Sequence, residues 1–204
     1  MAELPKYTAD ECVQQIPCRV WVPNRKRCEL IDLTKIPHWA MTVDVLAHSL
    51  SSKVRYNGHT PFPYSVATHS VLVKDLMFLD CGLMLELEAL LHDASEAFVG
   101  DVIHPIKRML PDFKEIEAMV DRQIRAFYCL PEKEDPLVKE ADTKALWLEQ
   151  KVLQGKQFSP EAVALLQPEQ MELAANLLAE ELDWQTSRDI FYNEYKFIIG
   201  DLAA

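Results

Sequence analysis

Apolar residues along most of this chain recur every three or four positions, the period of an amphipathic helix. One short stretch departs from that pattern. Residues 19–22 are β-prone, residues 23–27 read as a turn, and residues 28–33 as a return strand. A lone hairpin of this size is not stable, so it must pack on a helical body. Pro37 closes the segment. Thr42 or Asp44 then starts a helix that runs through Leu46, Leu50 and Val54 and stops at Gly58. A polar loop from Arg55 to Pro61 leads to Ser65, which is suited to cap the next helix. That helix reaches about Asp80, with Val66, Val73, Leu76 and Met77 on its apolar face and His69 among them.

Residues 84–98 predict a continuous helix with Leu87, Leu91, Ala94 and Phe98 on one side, broken by Gly100. A loop from Asp101 leads into a short helix that Pro111 ends. Asp112 caps a long helix carrying Phe113, Ile116, Met119, Val120, Ile124 and Phe127. Pro136, at a favourable first position, opens a helix to about Leu153, with Val138, Ala141, Ala145 and Leu148 inward. Ser159 and Pro160 begin a short helix, Pro168 sets off residues 171–178, and Thr186 or Ser187 begins the last helix. The expected fold is all-α: a helical bundle with a small N-terminal β-hairpin. It forms one domain over residues 1–204, with the hairpin at about 19–33, a helical core at about 42–153 and C-terminal helices at 159–204.

Composition supports this picture and narrows the partners. The chain is 49% hydrophobic, with 5 glycines and 12 prolines, so a sizeable core with proline-marked connections is available. A net charge of −11 and scattered basic residues argue against a long nucleic acid as ligand. A small anion is still accessible, because a metal ion and a few cations can reverse the local field. No apolar run approaches the roughly 18 residues of a membrane span, and the first residues lack a signal-peptide core. The five cysteines show no CxxC pair. The expectation is a soluble protein of a reducing cytoplasm.

The candidate chemistry lies where ionisable residues interrupt apolar faces. His69, His92, Asp93 and Asp142 occupy inward or near-inward positions on three helices. Buried ionic groups are costly unless paired or metal-bound. Two imidazoles and two carboxylates suit a divalent transition metal, and such mixed ligands fit Co, Mn, Zn, Fe or Ni. Glu96 shares a helix face with His92 and Asp93, where a carboxylate can move the proton of an activated water. Asp101 is a second carboxylate beside it. Arg55, Lys107 and Arg108 are candidate phosphate-binding cations.

The order His69, His92 with Asp93, then Asp142 resembles the H…HD…D pattern of the HD-domain metal-dependent phosphohydrolases. The run HDASEAFVGD from His92 to Asp101, followed by Pro105 and Lys107, is similar to the signature of the small 5′-deoxynucleotidase-like branch. The stretches RYNGHT from Arg55 and YSVATHSV from Tyr64 resemble its compact phage and prophage members, which include dATP triphosphohydrolases. The resemblance covers roughly residues 20–150.

It implies His69, His92, Asp93 and Asp142 as metal ligands and Glu96 and Asp101 as catalytic carboxylates. It also puts Arg55 and Tyr56 at the nucleotide site, and with His59 and Lys107 they make the expected substrate-binding set. Tyr56 stands where the branch carries Trp, which keeps an aromatic face. The implied activity is hydrolysis of 2′-deoxynucleotides, dNMP or dNTP with adenine favoured, by a metal-bound hydroxide attacking the α-phosphorus. A homo-oligomer in a bacterial or phage-infected host cytoplasm is implied as well. Two other classes fit parts of the pattern. One is a non-catalytic metal and nucleotide sensor, against which Glu96 and Asp101 count. The other is a helical interaction protein with buried polar residues.

Overall fold

The computed structural model describes residues 19–24, 27–77, 82–179 and 181–202. Strands β1 (Arg19–Asn24) and β2 (Arg27–Asp32) form an antiparallel pair in which Trp21 faces Leu30 and Val20 faces Ile31. The alternation decides the faces: Trp21 and Leu30 are exposed, whereas Val22 and Ile31 are buried. The hairpin packs on a 3-10 turn, His38–Met41, and on helix α1 (Val43–Ser51). The remaining described chain is mostly helical, as the apolar period predicts.

Helix α2 (Val66–Asp75) organises the rest. Every residue from Val66 to Val73 is buried, as expected of a helix with neighbours on all sides. Ser65 caps it by accepting a hydrogen bond from the Thr68 N–H at 3.1 Å. Two apolar clusters meet along it. Val66, Ala67 and Val71 belong to one, with Leu46, Leu50, Leu90, Leu91, Ile124 and Phe191. Leu72, Val73 and Leu76 belong to the other, with Val138, Ala145, Leu148 and Leu178. Helix α3 (Leu83–Leu91) lies alongside, and both helices contact the last helix.

Several boundaries differ from the sequence expectation. Helix α1 ends at Ser51, and Gly58 closes a separate 3-10 turn, Arg55–Gly58, instead. Helix α2 closes at Asp75; the expected end at Asp80 lies outside the described residues. The predicted helix over 84–98 is two helices, α3 and α4 (Glu96–Val99). Between them the backbone tightens to i→i−3 bonds, Ala94 N–H to Leu91 O and Glu96 N–H to Asp93 O, both 3.0 Å.

After the short helix α5 (His104–Lys107), Pro111 starts helix α6 (Pro111–Phe127) rather than ending its predecessor, and Asp112 sits in the first turn instead of capping it. A proline at the first helical position needs no N–H partner there. Helix α7 (Pro136–Gln154) is capped by Asp135, whose Oδ1 accepts from the Leu137 N–H at 2.8 Å. Helices α8 (Pro160–Leu165), α9 (Pro168–Leu178) and α10 (Trp184–Leu202) complete the chain. The last begins earlier than expected because Asp183 Oδ1 accepts from the Thr186 N–H. Among the described residues, no helix is long and apolar enough to cross a membrane.

Candidate metal centre

Three helical elements aim side chains at one point. His69 comes from the middle of α2, His92 and Asp93 from the tight turn after α3, and Asp142 from the second turn of α7. His69 Nε2 lies 3.5 Å from Asp93 Oδ2 and 3.3 Å from Asp142 Oδ1. His92 Nε2 lies 3.2 Å and 3.9 Å from the same two oxygens. One ligand atom each from His69, His92 and Asp142 falls within 4.8 Å of the others, and such a group can hold a metal ion. Asp93 Oδ2 stands beside both imidazoles and completes the set expected from the sequence.

The hydrogen bonding of the two imidazoles is one-sided. His69 Nδ1 contacts Glu149 Oε1 at 2.5 Å, and His92 Nδ1 donates to the Ala89 carbonyl at 2.8 Å. Both Nε2 atoms are buried without a hydrogen bond of acceptable geometry, although the carboxylates are close. A ring whose Nδ1 donates behind it presents the Nε2 lone pair forward, the usual arrangement of a metal-ligating histidine. The residues therefore fit a divalent cation.

The electrostatics point the same way. Burial pushes the Asp93 carboxyl up, but the His92 and His69 imidazoles hold it well below the usual carboxylate range. Burial likewise opposes ionisation of Asp142, and the same two histidines keep it low. Burial and Arg55 press the His69 imidazole down, yet Glu149, Asp142 and Asp93 raise it well above its ordinary value. The pocket thus carries a strong negative field around two buried nitrogens.

Glu96 lies one tight turn beyond Asp93 and is buried, with Oε2 unpartnered. Burial, together with repulsion from Asp93 and Asp101, pushes its carboxyl up to about 9. Positive charge in the cluster would pull that value down. Its turn is held from the end of α1 and the residues just after it: Ser49 Oγ and Lys53 Nζ both donate to the Ala97 carbonyl, at 2.7 and 3.0 Å. Asp101 follows Gly100, whose φ of 83 lets the chain leave the helix sharply. Burial raises Asp101, while Arg55 opposes that rise.

The expected substrate-binding residues divide. Arg55 is at the centre: Nη1 lies 3.4 Å from Asp93 Oδ2 and Nη2 lies 3.5 Å from Glu149 Oε2, with Nε buried and unpartnered. Tyr56 packs under Arg55, 5.7 Å from guanidinium carbon to ring centre, and its hydroxyl donates to Glu149 Oε2 at 2.5 Å. Lys107 pairs with Glu117 at 2.5 Å and covers the Phe113 ring. His59 and Arg108 are exposed.

Two residues missed in the sequence belong here. Lys139 Nζ donates to Asp142 Oδ2 at 2.6 Å. Glu149 is fully buried behind His69. It lies two helical turns beyond Asp142 and beside buried Leu148, so the helical period could have found it.

No family model matches the chain. The uncharacterized protein YfdR of Escherichia coli K12 is 40% identical over 113 residues, which span 55% of this chain and 61% of that protein. The uncharacterized protein RCAP_rcc00048 of Rhodobacter capsulatus is 31% identical over 149 residues, 67% of this chain and 74% of that one. Neither name assigns an activity.

Proposed function

The chain belongs to the family of the Rhodobacter capsulatus protein RCAP_rcc00048, and we propose that it is a metal-dependent phosphohydrolase of 2′-deoxynucleotides built on an HD-type helical domain. One observation carries the reading. Two buried imidazole Nε2 atoms without hydrogen bonds converge with Asp93 and Asp142, and Glu96 stands on the next turn. His69, His92, Asp93 and Asp142 would hold the cation, and the chemistry it would supply there is Lewis acidity toward a phosphoryl oxygen and toward the attacking water.

The chain's own residues do the rest. Arg55 beside Asp93 and Lys139 beside Asp142 bring positive charge to two sides of the cluster. A guanidinium can grip phosphate oxygens bidentately. Glu96 and Asp101, both pushed up by burial, are suited to carry a proton. Water attacks the α-phosphorus, and the bond from phosphorus to the nucleoside 5′ oxygen breaks. The proton lost by the water and the one gained by the leaving oxygen pass through this carboxyl pair.

A monophosphate then yields nucleoside and phosphate, and a triphosphate yields nucleoside and triphosphate. Adenine deoxynucleotides are the favoured substrates, on the resemblance to the compact phage members. Chromatography of products from a panel of deoxynucleoside mono- and triphosphates, with Mn²⁺, Co²⁺ or Zn²⁺ supplied, tests the proposal. The expected result is one of these two product pairs. Failure to cleave any member of the panel with any of the metals overturns it.

A further inference from the structure

Glu149 is the most heavily engaged side chain at the centre. Its Oε1 accepts from the Tyr64 hydroxyl at 2.9 Å and meets His69 Nδ1 at 2.5 Å. Its Oε2 accepts from the Tyr56 hydroxyl at 2.5 Å and lies 3.5 Å from Arg55 Nη2. A carboxylate offers about four lone-pair sites, and these partners occupy them. Glu149 also lies on the Nδ1 side of His69, whereas Asp93 and Asp142 lie on the Nε2 side. It is therefore placed to hold the ligand rather than to be one.

The same carboxylate anchors a strained turn. Tyr56 and Asn57 have φ of 55 and 54, left-handed values that cost non-glycine residues free energy. Such a conformation persists when its surroundings over-determine it. Here the ties are the Tyr56 hydroxyl and Arg55 guanidinium on Glu149, and the Arg55 N–H bonded to the Tyr64 carbonyl at 2.8 Å. One buried group thus holds a metal-ligating imidazole with one oxygen and the Arg55–Gly58 turn with the other.

We infer that Glu149 is a positioning residue that fixes the His69 ring for a cation and, through Tyr56 and Arg55, holds the turn that meets the nucleotide. The inference rests on the function proposed above. Glu149 fixes the Nδ1–H tautomer and leaves Nε2 free to bind the cation. Carboxylates placed behind ligating histidines in this way commonly change metal affinity by about 10- to 100-fold. Tyr56 reports the other half, because its hydroxyl bond to Glu149 Oε2 ties the Arg55–Gly58 turn to that carboxylate.

The test uses the full chain, its Glu149→Gln and Tyr56→Phe variants, and Co²⁺ as probe. A Co²⁺ titration read by visible absorption gives affinity and ligand geometry without turnover. Glu149→Gln is expected to weaken Co²⁺ binding by about 10- to 100-fold and to shift the absorption bands. Tyr56→Phe is expected to keep the Co²⁺ affinity and bands while raising KM about tenfold, for the loss of one hydrogen bond to a charged group. KM is measured with whichever deoxynucleotide the parent protein turns over fastest.

A folded Glu149→Gln variant with parental Co²⁺ affinity and spectrum overturns the inference. If that variant does not fold, Tyr56→Phe decides: a parental KM overturns it. A parent protein that binds Co²⁺ but cleaves no deoxynucleotide defeats the proposed function alone. The Co²⁺ arm of this test then still reads the role of Glu149 at His69.

Discussion

Two buried charge clusters grow from α3 and from the tight turn that follows it, and they are built differently. Glu88, near the end of α3, pairs with Arg125 and accepts from the Asp135 N–H at 2.9 Å. Arg125 in turn donates from Nε to the Pro131 carbonyl at 2.5 Å. One turn later, His92 points Nε2 into the candidate centre and finds no hydrogen bond. Among the described residues, the buried side-chain atoms without partners are Arg55 Nε, His69 Nε2, Ser70 Oγ, His92 Nε2, Glu96 Oε2 and Gln170 Nε2.

Four of those six atoms surround the centre, and none belongs to Glu88 or Arg125. Burial alone does not separate structure from chemistry, since both clusters are buried. Satisfaction does. A satisfied ion pair has nothing left to offer a ligand, whereas orphaned donors and acceptors in a buried cluster call for one.

The largest expected effect tests the unsatisfied side. His92→Ala removes one ligand and should abolish stoichiometric binding of Mn²⁺ or Co²⁺, with loss of any deoxynucleotide turnover. Elemental analysis of the purified variant after dialysis checks it. Retained stoichiometric metal would show that the cluster is not the cation site.

The satisfied side should fail in another currency. Glu88→Ala strands Arg125 in the core and should destabilise the fold by about 3–5 kcal/mol, read as a lower denaturation midpoint. The protein that remains folded should bind Co²⁺ within a few-fold of the parent. A stability loss well under 1 kcal/mol would make the Glu88–Arg125 pair dispensable and weaken the contrast.

Much of this was legible from residue order, and the failures have physical causes. Ser65, Val66 and Val73 place His69 inward, and the helical period places Asp142 beside buried Val138 and Ala145; both lie where expected. The break between α3 and α4 was not legible, because no glycine or proline marks residues 92–95. The i→i−3 bonds there have no local mark in the sequence. That tightening brings Asp93 and Glu96 onto one eclipsed edge.

Glu149 escaped notice because Glu-Gln-Lys around it looks like a solvated face. Its spacing from Asp142 and Ala145 points inward all the same, and its partners on other elements, Tyr56, Tyr64 and His69, account for its burial. Pro111 was misassigned for a different reason: a proline reads equally as a stop or as a first helical residue, and here it is the latter. Long-range pairing was hidden, and local period was not.

Metal removal gives the next effect in size. A cation that binds the native state stabilises it by about 2.7 kcal/mol at a hundred times its Kd. For a chain of this length that corresponds to roughly 5–10 °C in Tm. Thermal unfolding in chelator and in excess Mn²⁺ should therefore differ by that amount in the parent and coincide in His92→Ala. Coinciding curves in the parent would place the stability of the centre in its protein contacts, as at Glu88.

The smallest expected effect sharpens the boundary between the two kinds of cluster. Lys139 pairs with Asp142, but its side chain is 64% exposed while that of Asp142 is 19% exposed. Exposed pairs contribute about 0–1 kcal/mol because water screens them and two side chains must be held still. The bond uses Asp142 Oδ2 and leaves Oδ1 facing the imidazoles. Lys139→Ala should therefore change the denaturation midpoint by less than about 1 kcal/mol and Co²⁺ affinity by no more than a few-fold. A drop in Co²⁺ affinity as large as that of Glu149→Gln would mean that the rim pair orients Asp142 as strongly as Glu149 orients His69. The line between a satisfied support and a solvent-screened contact would then have to be drawn further out.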